Sequence, residues 1–306
     1  MTLSQVAQAA PLSPEADVQL SAKSSNDFAR ACEVRKEAST CRGKLMSPLE
    51  RSLAMEPVQG GLAAVADGNY EANTGMFGGW TAALLLKAVL EDPAVEGSPS
   101  ALTVNFIGRV VPGERLLVRV TRLGNSRSVA HWRADLHGNG GDELLATAAV
   151  VLGKRRGSES AIDFAMPTVP PPEGIPGSNP PGAFGQQTDT RAVYGIPPFN
   201  RGDMRSITWV RENSGRRVDA IQLAYLADVY APRVFHISSG PRPSSTLVMS
   251  TYFLAGSEEL SAVGDDYVLS DAEGTRIEQS LVGSRSRLWS RGGTLLATTE
   301  QLCWFK

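Results

Sequence analysis

Residues 79–90 read Gly79-Trp80-Thr81-Ala82-Ala83-Leu84-Leu85-Leu86-Lys87-Ala88-Val89-Leu90. The stretch predicts a helix, but one that is apolar almost all the way round. Only Lys87 in it is charged, and the segment is too short to span a bilayer. Such a helix cannot rest on a surface with one face in water, so it has to be enclosed. A second stretch, Ala220 to Tyr230, has the same character and contains Leu223-Ala224-Tyr225-Leu226-Ala227-Asp228.

Each helix is followed by strand-like segments. The first set is Leu102 to Ile107, Arg115 to Leu123, Ser128 to Leu136 and Glu143 to Leu152. The second is Thr246 to Phe253, Asp266 to Ala272, Ile277 to Trp289 and Thr294 to Phe305. Asn139-Gly140-Gly141-Asp142 and Arg291-Gly292-Gly293 supply turns. Both last strands carry Leu-Leu-Ala-Thr, at 144–147 and 295–298. With the shared order of elements, this points to an internal duplication. The expected fold is α+β: a double hotdog, with two antiparallel sheets each wrapped round a long central helix. Two copies in one chain would pair their sheets edge to edge and leave ligand clefts along the join. The expected organisation is a flexible tail over 1–48, an N-terminal half over 49–153, a Pro-rich connector over 154–200 and a C-terminal half over 201–306. Proline density from Pro167 to Pro198 breaks both helix and sheet in the connector.

The 306 residues suffice for one large domain or two ordinary ones, and 42% hydrophobic with 20% charged residues is ordinary globular composition. A formal net charge of −2 gives no reason to expect nucleic acid or an acidic membrane surface as partner. The basic cluster Arg201, Arg205, Arg211, Arg216 and Arg217 reads as a solvated face, with a phosphate-bearing ligand as the alternative. Three cysteines, with no CxxC pair and three histidines, offer neither a disulfide framework nor metal-ligand spacing. No metal and no cofactor is expected. The N-terminus lacks a continuous apolar core of the kind a secretory signal carries, so a reduced, cytoplasmic setting is expected.

Three polar residues stand out in the apolar second half. Asp228 closes the second helix, Thr246 opens the next strand, and Gln301 interrupts the terminal strand among Leu302, Cys303 and Trp304. Burying a carboxylate, a hydroxyl and an amide is costly unless they satisfy one another or bind something. Together they suggest a shared polar point that could hold a water molecule.

Met76-Phe77-Gly78-Gly79-Trp80, leading into a helix, resembles the motif that opens the first helix of acyl-CoA thioesterase II-like proteins. The run Leu223 to Asp228 is similar to that family's second-helix motif, and Pro112-Gly113 and Gly124-Asn125-Ser126 fit its turns. The resemblance covers roughly residues 55–153 and 200–306. It implies that Asp228, Thr246 and Gln301 bind the hydrolytic water, with acyl-CoA as substrate and a homo-oligomeric assembly. Val248 and Met249 depart from the polar residues often seen in that strand. Gly78 and Gly79 would let a thioester carbonyl approach the helix start, and Trp80 could line an acyl channel. The chain has no Gly-x-Ser-x-Gly, in keeping with attack by water and no covalent intermediate. Aligned on Leu-Leu-Ala-Thr, Val150 is the counterpart of Gln301, and Lys87 and Ala88 fall near the counterpart of Asp228. One competent site per chain is therefore expected. The alternatives are a non-catalytic acyl-CoA-binding hotdog protein and a hydratase; the latter is disfavoured because its Asp-x-Asn-Pro-x-x-x-His motif is missing.

Overall fold

The computed structural model describes residues 46–195 and 201–306. Most of the expected tail lies outside the described residues. Its last part is structured: Ser47 caps helix α1 (Pro48–Ser52) through reciprocal bonds with Glu50, and Leu49 is buried. The first half continues with β1 (Glu56–Val58), β2 (Gly61–Val65), β3 (Glu71–Ala72), β4 (Gly75–Met76), α2 (Gly78–Leu90), β5 (Ser98–Phe106), β6 (Arg115–Asn125), β7 (Val129–Gly138) and β8 (Glu143–Gly153). The second half holds β9 (Thr188–Tyr194), β10 (Ser206–Glu212), α3 (Ala220–Leu226), α4 (Val234–Ile237), β11 (Ser244–Phe253), α5 (Ser257–Val263), β12 (Val268–Glu278), β13 (Leu281–Ser290) and β14 (Leu295–Phe305). Among the described residues no helix is long and apolar enough to cross a membrane.

Helix α2 buries every residue from Gly79 to Val89 except Lys87, and packs against β5, β7, β8 and helix α3. Its all-round apolarity is thus matched by all-round cover.

The two sheets expected to pair edge to edge run together as one continuous sheet. Twelve strands form one sheet in the order β1-β2-β6-β7-β8-β5-β11-β14-β13-β12-β10-β9, with β3 and β4 apart as a small pair. The join is antiparallel pairing of β5 with β11, from Val248 opposite Asn105 to Tyr252 opposite Ala101. Thr103 Oγ1 and Ser250 Oγ lie 2.9 Å apart across it. Pairing removes the bare edge that each half would otherwise present. Read from either end the order repeats, with β5 answering to β11, β6 to β12, β7 to β13 and β8 to β14.

The second helix is not long. Past Leu226 the bonding tightens from Ala227 N to Leu223 O (2.8 Å) to Val229 N to Leu226 O (3.0 Å), and the chain leaves the helix. The strand expected over 277–289 is also broken. Gln279 (φ 50°) and Ser280 (φ 61°) make a hairpin turn with two left-handed residues and no glycine to announce it. Within the Pro-rich stretch, the proline-free run Thr188–Tyr194 forms edge strand β9 against β10. The residues before it cover the outer face of the sheet: Met166, Val169 and Ile175 pack on Trp209, Leu269 and Trp289, and Trp209 Nε1 donates to Pro170 O at 2.9 Å.

Candidate active site

Asp228 lies on the turn two residues beyond α3, rather than within the helix. That turn carries its carboxylate to β14, where Gln301 Nε2 donates to Asp228 Oδ1 at 2.7 Å. The other end of the amide accepts from Thr246 Oγ1, with 3.3 Å between Thr246 Oγ1 and Gln301 Oε1. Thr246 reaches that face through a bulge. Met249 pairs with Gln301 on the inner face, and strict alternation would turn Thr246 outward. The pairing shifts between Thr246, opposite Cys303, and Val248, opposite Leu302, so Leu247 is the extra residue and Thr246 turns inward. The three residues singled out in the sequence are therefore brought together.

Gly78 and Gly79, at the start of α2, are the floor on which the carboxylate sits. A Cβ on Gly78 would come within 2.8 Å of Asp228 Oδ2, and one on Gly79 within 2.4 Å of Tyr225 O. The Gly79 backbone N–H bonds the same carboxylate, at the end of α2 where the helix dipole favours negative charge. Burial nevertheless outweighs these contacts and raises the Asp228 pKa to about 6, with Gln301 and Gly79 pulling the other way.

Sequence reasoning missed the rest of the wall. Tyr230 OH and Ser284 Oγ are 3.1 Å apart, and Ser284 lies opposite Gln301 in the β13–β14 register. Cys303 Sγ is 3.5 Å from Thr246 Oγ1, and burial raises its pKa to about 11. Gln301 Nε2 also meets Met249 Sδ at 3.3 Å, so the departure from a polar residue there still offers the amide a weak acceptor. The period-2 spacing of Gln301 and Cys303 was the one available signal. Arg233 is buried on carbonyls of Ala231, Met204 and Ala272, and ties the segment after Asp228 to the sheet.

Trp80 does not line the site. It is fully buried, and its Nε1 donates to Ser52 Oγ of α1 at 3.1 Å, because an enclosed helix has no open side on which to present an indole. The basic cluster is spent on local partners: Arg201 on Asp203, Arg205 on Asp271, Arg211 on Asp189, Arg216 on Asp219 and Arg217 on Ser261 O. In the first half, a bulge between Pro99 and Ala101 sets Pro99 opposite Leu152 and Leu102 opposite Val150. Thr246 and Gln301 thus answer to Pro99 and Val150, and Lys87 pairs with Glu91 at 2.5 Å. The polar constellation exists on one side of the join.

Two family models match the chain: an acyl-CoA thioesterase N-terminal domain over residues 66–153 and an acyl-CoA thioesterase C-terminal domain over residues 165–305. The chain belongs to the acyl-CoA thioesterase family. It is accordingly a thioester hydrolase. Among solved structures, it is similar to a conserved protein of unknown function with a hot dog fold from Alicyclobacillus acidocaldarius, at 30% identity and TM-score 0.81, covering 86% of this chain and 99% of that one. The acyl-CoA thioesterase II TesB2 of Mycobacterium marinum shares the fold at 19% identity and TM-score 0.68, covering 84% and 98%. The tesB protein of Mycobacterium avium subs paratuberculosis does so at the same identity, coverage and TM-score. No curated protein matches the chain.

Proposed function

We propose that the protein hydrolyses acyl-CoA thioesters by direct attack of a water molecule held at Asp228, with Gln301 and Thr246 fixing the carboxylate. The bond from Gln301 Nε2 to Asp228 Oδ1 carries this reading, because it orients a carboxylate that burial has made basic. Thr246, by donating to Gln301 Oε1, keeps the amide turned so that its NH2 faces Asp228. The double hotdog belongs to the same reading, with two halves sharing one sheet; the palindromic strand order supports it.

In this mechanism the water oxygen attacks the thioester carbonyl carbon as its proton passes to Asp228. The C–S bond then breaks, and the CoA sulfur leaves with the proton that Asp228 has taken up. A carboxylic acid with a pKa near 6 can hold that proton briefly and return it. Negative charge moves from Asp228 to the carbonyl oxygen at the N-terminus of α2, so the helix dipole serves both ends of the step. Gly78 and Gly79 leave room for that oxygen. The test is Asp228→Asn assayed by release of free CoA thiol: turnover should drop by roughly a thousandfold or more with the fold retained. Activity near that of the unaltered protein would remove Asp228 from the role.

A further inference from the structure

Behind the Gln301 row lies a second polar row that the hydrolytic step does not use. Thr251 and Thr299 are register partners on β11 and β14, Ser286 of β13 lies opposite Thr299, and Ser270 of β12 reaches Ser286 with 3.1 Å between the hydroxyls. All four are at most 1% exposed. Among the described residues, Thr251 Oγ1 and Thr299 Oγ1 have no hydrogen-bond partner.

The fold does not require hydroxyls there. In the first half the same register positions hold Val104, Ala148, Ala134 and Val118, all buried in the apolar core. A Val in place of a buried Thr has the same shape and removes an unsatisfied group, so the hydroxyls carry a cost that the other half avoids. They also stand close to the chemistry. Thr299 is two residues before Gln301 on the same face of one strand, about 7 Å deeper at the usual strand rise. Full burial keeps them from the CoA portion, which has to reach the site from solvent. An acyl chain laid from a carbonyl at Asp228 along the inner face would run past Gln301 toward Thr299.

Resting on the hydrolase reading above, we infer that this hydroxyl ladder receives an oxygen carried on the acyl chain. The preferred substrates are acyl-CoAs bearing a hydroxyl or oxo group several carbons from the thioester. A site built to bond a substrate oxygen rejects the analogue that lacks it, because its own groups are then left unpaired.

The test compares kcat/KM for a straight-chain acyl-CoA with its hydroxylated and oxo counterparts, the oxygen moved in turn from the third to the sixth carbon. At least one oxygenated ester should exceed the plain one by tenfold or more. Thr251→Val and Thr299→Val should bring the ratio toward one while sparing the plain ester, and Thr299→Ser should restore it. Binding of the matching non-hydrolysable thioether analogues, read by calorimetry, makes the same comparison without turnover. A ratio near one in the unaltered protein, or one that the Val variants leave unchanged, overturns the inference whether or not the plain ester is hydrolysed. Loss of all hydrolysis with the binding preference intact counts against the catalytic reading alone.

Discussion

At the scale of single residues, Asp228 sets a conflict between stability and chemistry. Its pKa is 3.8 when unperturbed and about 6 in the fold. The folded chain therefore binds the proton more tightly, and stability falls as pH rises through that window, with the full cost present above it. A rise from 3.8 to about 6 corresponds to about 3 kcal/mol. Asp228→Asn should be more stable than the unaltered protein at pH 8, by about 1–3 kcal/mol in chemical denaturation, with the gain gone below pH 4. Equal or lower stability at pH 8 contradicts the burial cost. Asp228, Thr246 and Gln301 were legible because each is a polar residue at the end of an apolar run or inside one. Tyr230, Ser284 and Cys303 were not, since a tyrosine, a serine or a cysteine in a sheet protein is unremarkable until a partner is known. Trp80 misled because its place beside two glycines says nothing about which side of the helix is open.

Among the elements, the contact between α2 and α3 does most to build the site. A Cβ at Gly79 would meet Tyr225 O at 2.4 Å and Phe77 Cε1 at 2.5 Å, so neither helix can yield without moving the Asp228 turn. Gly79→Ala should cost about 1–3 kcal/mol, seen as a lower urea midpoint at unchanged slope, and should depress turnover as well. Unaltered stability would show that the two helices are free to part. The existence of both helices and most strands could be read from hydrophobic pattern. Their ends could not: α3 stops where its hydrogen bonds tighten, and the β12–β13 turn uses Gln279 and Ser280 in conformations usually left to glycine or asparagine. The strand β9 was hidden by the prolines on either side of it.

Across the molecule, the twelve-stranded sheet makes the halves one mechanical unit from Ser47 onward. The Leu-Leu-Ala-Thr repeat marks corresponding places on β8 and β14 in the palindromic strand order, and the register of β5 with β11 shows how the sheet closes at its middle. Far-UV circular dichroism and tryptophan fluorescence should report coincident unfolding transitions. Two separated transitions would mean that the join at Thr103 and Ser250 is weaker than continuous pairing implies. In the proposed mechanism the labour is divided: α2 of the first half offers its N-terminus, and the second half supplies the carboxylate, the amide and the hydroxyl.

The proposed chemistry requires Asp228 to act as the base that takes the water proton, and the pH profile of kcat/KM tests this most directly. Turnover should rise through an acid limb near pH 6 and level off above it. In Gln301→Ala, where the bond that lowers the pKa is lost, the limb should move to higher pH as the plateau falls roughly a hundredfold. A flat profile across that range, or a limb that Gln301→Ala leaves in place, contradicts it.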